Sequence, residues 1–179
     1  HSQNTSRSYA WEWTHVWQPV LEQEGCDLVI VVCHGSKAEL TALRRCCDQH
    51  DLLLYLDGAR LGSALTAPSN DLTLADVAAL TELSLQSDLT VLRALDREAR
   101  RLGKSHKGIL MADLGDLREG FWLRDELTAA AAEVETRLSG LELAGVGTNL
   151  GCYGSVKATP EKMAELVDAA QAVEDVIGR

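Results

Sequence analysis

Apolar positions in this chain alternate between two periods. Asp27-Leu28-Val29-Ile30-Val31-Val32-Cys33 is a continuous, β-branched apolar run, the pattern of a buried strand. Leu40, Leu43 and Cys47 then recur at helical spacing. Ser36 and Glu39 mark the start of that helix, at the spacing where each side chain satisfies the other's free amide. The helix is predicted to end near His50. Residues 52–56 (Leu-Leu-Leu-Tyr-Leu) predict a second strand. Thr73 and Asp76 repeat the capping spacing and predict a helix over 74–82, and Ser87 is expected to cap another running to about Leu102. A strand over 108–113, an alanine-rich helix over 123–138 stopped by Gly140, and a strand over 141–147 follow. Thr159-Pro160 opens the last helix with proline at its favoured first position. Apolar strands alternating with amphipathic helices predict an α/β fold, a mainly parallel sheet with flanking helices. The rhythm slips between Asn70 and Gln86, where two helices are expected in succession, so a weak boundary is placed there.

Length limits what this pattern can be. The 179 residues suit one domain or two small ones. A complete (β/α)8 barrel takes roughly 250 residues, so the C-terminal half is expected to be a partial barrel. With 46% hydrophobic and 25% charged residues the composition is globular, and few aromatics leave the core aliphatic. A net charge of -10 and a pI near 4.9 repel phosphate backbones, so nucleic acid is not an expected partner. No run of 18 apolar residues predicts a membrane span. Residues 1–13 are expected to be a disordered lead-in, and their polar start lacks the apolar stretch of a signal peptide. Cysteines 26, 33, 46, 47 and 152 are odd in number and irregular in spacing, which fits a reduced, cytoplasmic setting.

Ligands in parallel α/β sheets sit at the carboxyl ends of strands. Three clusters fall there. In Asp57-Gly58-Ala59-Arg60 a carboxylate could hold a protonated ring nitrogen and the arginine an oxyanion. Spacing alone favours a helix-capping aspartate with a surface arginine. Asp113-Leu114-Gly115-Asp116-Leu117-Arg118-Glu119-Gly120 is either a polar loop reaching a ligand or a solvated turn with local ion pairs. Gly145-Val146-Gly147-Thr148-Asn149-Leu150-Gly151-Cys152-Tyr153-Gly154-Ser155 could turn backbone amides toward an anion, or be a structural turn. Leu150 occupies the third glycine position of a dinucleotide fingerprint, so that reading fails. Cys33, His34, Cys46, Cys47 and His50 lack a paired CxxC spacing, and Cys47 lies on an apolar stripe, so no metal site is assigned.

Two stretches carry resemblances. Ser36-Lys37-Ala38-Glu39-Leu40-Thr41-Ala42-Leu43-Arg44-Arg45-Cys46-Cys47, Leu53-Leu54-Tyr55-Leu56-Asp57-Gly58-Ala59-Arg60-Leu61-Gly62-Ser63-Ala64-Leu65 and Asp71-Leu72-Thr73-Leu74 place residues 14–82 close to the low-specificity L-threonine aldolases. These resemble enzymes of the aspartate aminotransferase fold that use pyridoxal phosphate (PLP). The resemblance implies that Asp57 pairs with the pyridine nitrogen, that Arg60 contacts the cofactor's polar edge, and that a β-hydroxy amino acid is cleaved. Gly108-Ile109-Leu110-Met111-Ala112-Asp113-Leu114-Gly115-Asp116-Leu117-Arg118-Glu119-Gly120 and Gly145 to Gly154 make residues 83–179 similar to alanine-racemase-like barrels of the ornithine racemase branch. This second resemblance implies that Arg118 lies near the phenolic oxygen of PLP and the substrate carboxylate, and that Asn149, after Thr148, lines the ring face.

Both resemblances imply PLP and a small amino-acid substrate, yet the Schiff-base lysine segment of neither family is matched. Lys37 starts a helix, Lys104 and Lys107 flank a strand start, and Lys157 and Lys162 lie around the last helix start. Lys157 is the one near a candidate loop. The expectation is therefore an aldolase-like or racemase-like PLP enzyme with weak or no turnover, or a non-catalytic chain recombined from two PLP-enzyme fragments. Unpaired parallel edges predict a homo-oligomer.

Overall fold

The computed structural model describes residues 28–32 (backbone only), 36–57, 65–66, 68–151 and 156–179. The expectations for residues 1–13, Cys26, Cys33, His34, Arg60 and Cys152 lie outside these. The chain divides into two compact units, residues 1–81 and 82–179.

In the first unit β1 (Leu28–Val32) pairs in parallel with β2 (Leu53–Asp57), in register from Leu28↔Leu53 to Val32↔Asp57. The crossover contains α1 (Lys37–Gln49). Its start is the expected capping box: the Ser36 hydroxyl accepts from Glu39 N–H, and the Glu39 carboxylate accepts from Ser36 N–H at 2.8 Å. His50 closes it, also as expected. Leu40, Leu43 and Cys47 turn inward onto Leu52, Leu54 and Leu72. Burying each leucine contributes about 1.5–3 kcal/mol. Cys47 is thus a core thiol. α2 (Leu74–Leu80) starts at the Thr73–Asp76 capping box, and Lys37 ties it to α1 through Asp76 at 2.6 Å.

The second unit is built from β3 (Leu83–Gln86), α3 (Leu89–Arg101), β4 (His106–Met111), α4 (Arg124–Arg137), β5 (Leu141–Gly147) and α5 (Pro160–Ile177). β4 pairs in parallel with both β3 and β5. The α/β class with parallel strands and flanking helices is as expected, with one correction. β3 stands where two successive helices were predicted, and α2 stops at Leu80 rather than 82. The β3 sequence, Leu83-Ser84-Leu85-Gln86, hides its strand because its polar residues are the buried ones. Ser84 and Gln86 are buried on the same face as His106. Gln86 Nε2 donates to Ser84 Oγ at 2.6 Å, and Ser84 Oγ bonds His106 Nε2 at 2.8 Å. A Cβ on Gly108, opposite Ser84, would touch Gln86 and Leu92 of α3, so this face packs on the helix layer.

Two capping expectations also change. Asp88, not Ser87, caps α3, accepting from Thr90 and Val91 N–H. Gly140 does not stop α4 by a left-handed turn; Leu138 takes that position. Gly140 is required instead by close approach, since a Cβ there would lie 2.7 Å from the Asp96 carbonyl oxygen. The Asp96 carboxylate, buried in α3, accepts from Gly140 N–H at 2.8 Å and pairs with Arg100 at 3.0 Å. Arg93 of α3 grips Glu133 of α4 through two hydrogen bonds of 2.6 and 2.8 Å, and its guanidinium holds the Glu133 carboxyl below the usual range. Among the described residues no helix is long and apolar enough to cross a membrane.

Candidate functional site

The carboxyl ends of β4 and β5 lie side by side. Met111 pairs with Gly147, and Ala112 N–H donates to the Gly147 carbonyl at 2.8 Å just beyond the strands. A Cβ on Gly147 would press on Ile109 and Met111 at 3.3 Å, so glycine lets the backbone run close to β4 there.

The loop after β4 folds back onto its own strand. The Asp113 carboxylate accepts from Gly115 N–H at 2.8 Å and from Leu117 N–H at 3.1 Å, and Leu117 takes a left-handed conformation at φ 58. Phe121 N–H donates to the Met111 carbonyl at 2.7 Å, and Asp113 N–H donates to the Phe121 carbonyl at 3.1 Å. This return needs Gly120, whose φ is 117 and whose hypothetical Cβ would sit 2.6 Å from Asp113 N. Arg118 and Glu119 are held on the loop between these anchors, both half-buried.

The loop after β5 supplies Thr148 and Asn149. Asn149 Nδ2 donates to Glu119 Oε1 at 2.9 Å, which joins the two loops. Asn149 Oδ1 accepts from Gly151 N–H at 3.4 Å. The Thr148 hydroxyl is buried and has no hydrogen-bond partner among the described residues. Leaving such a group unpaired costs about 1–3 kcal/mol. Among the described residues no carboxylate forms an ion pair with the half-buried Arg118.

Of the predicted residues, the structure brings Arg118, Thr148 and Asn149 to one pair of neighbouring strand ends. Asp57 lies at the carboxyl end of β2 in the first unit, half-buried. Arg60 lies outside the described residues. Within residues 113–120, Asp113 binds two N–H groups and Glu119 binds Asn149. Glu119 had no assigned role in the sequence. Its only signal was a carboxylate in a polar loop after a strand. Lys157 is exposed, and its carbonyl accepts from Thr159 N–H at 2.9 Å at the start of α5.

Comparison with known proteins places this geometry. Residues 65–177 match the family described as the alanine racemase N-terminal domain. An ornithine racemase of Acetoanaerobium sticklandii is 39% identical over 95 residues, covering 53% of this chain and 27% of that protein. A lysine racemase of Thermotoga maritima is 38% identical over 88 residues, covering 49% and 23%. The chain thus spans about a quarter of these relatives' length. An alanine racemase of Clostridium difficile superposes with a TM-score of 0.61 at 18% identity, covering 90% of this chain and 38% of the other. PipY of Synechococcus elongatus with PLP bound superposes with a TM-score of 0.52 at 14% identity, covering 90% and 82%. These matches back the racemase resemblance. The threonine aldolase resemblance and the two-parent origin draw no support from them. The family match begins at residue 65, inside the stretch assigned to the aldolase.

Proposed function

The chain belongs to the alanine racemase N-terminal domain family, and from that premise we propose that it binds PLP and serves amino-acid racemisation. The observation that carries this reading is the buried Thr148 hydroxyl, without a hydrogen-bond partner among the described residues, beside the Glu119–Asn149 bridge at the strand ends where such folds bind ligands. The donor set fits the group. Arg118 offers a guanidinium to an oxyanion or carboxylate, Thr148 a desolvated hydroxyl, and Asn149 a carboxamide fixed from outside. PLP, when bound, would delocalise the charge left on the α-carbon as its proton departs. Arg118 is the residue to hold the substrate carboxylate and so orient the α-carbon, and Thr148 and Asn149 are those to hold the ring in place.

The substrate class we propose is a free amino acid with a second, distal amino group, supported by the ornithine and lysine racemases among the relatives. The reading extends to a cytoplasmic, self-associating protein. Met163, Val167 and Val176 expose apolar surface along α5. Light scattering showing a clean monomer would remove the association.

The test is a PLP titration followed by visible absorbance, with borohydride trapping and mass spectrometry. Saturable binding that Arg118→Ala weakens and Lys104→Ala leaves unchanged is expected. Trapped label is expected at Lys157, the lysine next to the β5 loop. Absence of saturable binding, or binding indifferent to Arg118→Ala, refutes the reading.

A further inference from the structure

We infer that Glu119 is the positioning residue of this site: its carboxylate fixes the orientation of the Asn149 carboxamide across the two loops. The relevance of this to a ligand rests on the reading of Asn149 as a cofactor contact. The arrangement itself stands on geometry. Asn149 Nδ2 donates to Glu119 Oε1 at 2.9 Å, while Asn149 Oδ1 accepts from Gly151 N–H at 3.4 Å. An ionised carboxylate accepts only, so it selects the amide nitrogen and excludes the flipped amide. The opposite end of the carboxamide meets a backbone donor, so both ends agree on one orientation.

Glu119 can impose this because it does not move freely. It is half-buried, and it precedes Gly120, where close packing against Asp113 N and the Ala112 carbonyl carbon leaves no room for a Cβ. Phe121, one residue further, is bonded to Met111 and Asp113. On the other side the Asp113 carboxylate pins Gly115 and Leu117. A carboxylate held at both flanks costs little further side-chain freedom when it binds Asn149. No ion pair competes for it among the described residues. Thr148, whose buried hydroxyl has no hydrogen-bond partner among the described residues, is the residue next to Asn149.

The experiment compares the full chain with Glu119→Gln and Glu119→Ala by two readouts. The first is the pair of side-chain amide signals of Asn149 in a 15N-labelled sample, assigned by their loss in Asn149→Ala. Two well-separated, slowly exchanging signals are expected in the wild type. Glu119→Gln, which keeps an acceptor oxygen, is expected to retain them in shifted positions, and Glu119→Ala to collapse them toward solvent-averaged values. The second readout is PLP affinity, expected to fall about three- to tenfold in Glu119→Ala, as for a lost hydrogen bond, and to be largely rescued in Glu119→Gln. Asn149 signals unchanged in Glu119→Ala, with the fold intact by circular dichroism, overturn the inference. If Glu119→Ala does not fold, the Gln variant decides: Asn149 signals identical to wild type in position and exchange overturn it. If the wild type fails to bind PLP, the proposed function falls while the amide signals still decide the role of Glu119.

Discussion

Replacing Gly120 by alanine tests whether the β4 loop is as tightly specified as the site requires. The glycine sits at φ 117, and an alanine there adopts a backbone that L-residues populate at about 1–3 kcal/mol. The new methyl would lie 2.6 Å from Asp113 N, 2.9 Å from the Ala112 carbonyl carbon and 3.0 Å from the Met111 carbonyl oxygen. All three are backbone atoms and none can rotate away. Relief requires the loop to lift, which loosens the Phe121–Met111 and Asp113–Phe121 hydrogen bonds, worth about 0.5–1.5 kcal/mol each. The combined expectation is a loss of about 2–5 kcal/mol. In a domain this small that lowers Tm by roughly 10 °C or more. Urea denaturation followed by circular dichroism measures it, with two other glycines as internal scale. Gly103 has φ 65 and nothing near its missing Cβ, so Gly103→Ala should cost about 1 kcal/mol. Gly145 has open space and no positive φ, so Gly145→Ala should be neutral or slightly stabilising. Gly120→Ala within about 0.5 kcal/mol of the wild type, or milder than Gly103→Ala, refutes the reasoning.

Asp96→Ala should destabilise by about 1–3 kcal/mol in urea titrations, because Gly140 N–H loses its buried acceptor. Arg100→Ala should cost under about 1 kcal/mol, since its side chain is largely exposed. Burial raises the Asp76 carboxyl, but Lys37, Thr73 and the Thr73 amide outweigh it and hold it below the usual value. A lowered folded-state pKa gives stability that is fully present above the unfolded value near pH 4 and is lost as pH falls through the lower folded value. Asp76→Asn should flatten that part of the acid limb of a stability–pH curve, and an unchanged limb would exclude the Lys37 pair as its source. Thr148→Val removes, at nearly constant volume, a buried hydroxyl that has no hydrogen-bond partner among the described residues. It should stabilise the ligand-free protein by about 0.5–2 kcal/mol while weakening PLP, and a destabilised variant with intact PLP binding would show the hydroxyl to be structural.

Local order was legible in the sequence wherever one segment contains its own cause. Both capping boxes, at Ser36 and Thr73, form with the side-chain partners their spacing implied. The apolar run of β5 and the Pro160 start of α5 also read through, while β4 lies at His106–Met111, two residues earlier than the expected 108–113. β3 did not, because burial there runs against polarity. Ser84 and Gln86 are inside, stabilised by each other and by His106, which lies 22 residues beyond Ser84. Gly140 misled for a similar reason: it answers to Asp96 on another helix, not to its own. In the candidate site, strand-end position and resemblance pointed to Arg118, Thr148 and Asn149, and the structure brings them to neighbouring strand ends. The Glu119–Asn149 bond spans 30 residues, and no local pattern encodes which carboxylate of an acidic loop meets which amide of the next.

The most direct measurement is the hydrogen-exchange footprint of PLP on the whole chain. Saturating PLP is expected to slow amide exchange at the β4 loop, residues 113–121, and at the β5 end, residues 147–151, and to leave the buried Ser84–His106 region at the opposite end of its strand unchanged. Protection confined to other residues, or no protection at all, would contradict this expectation.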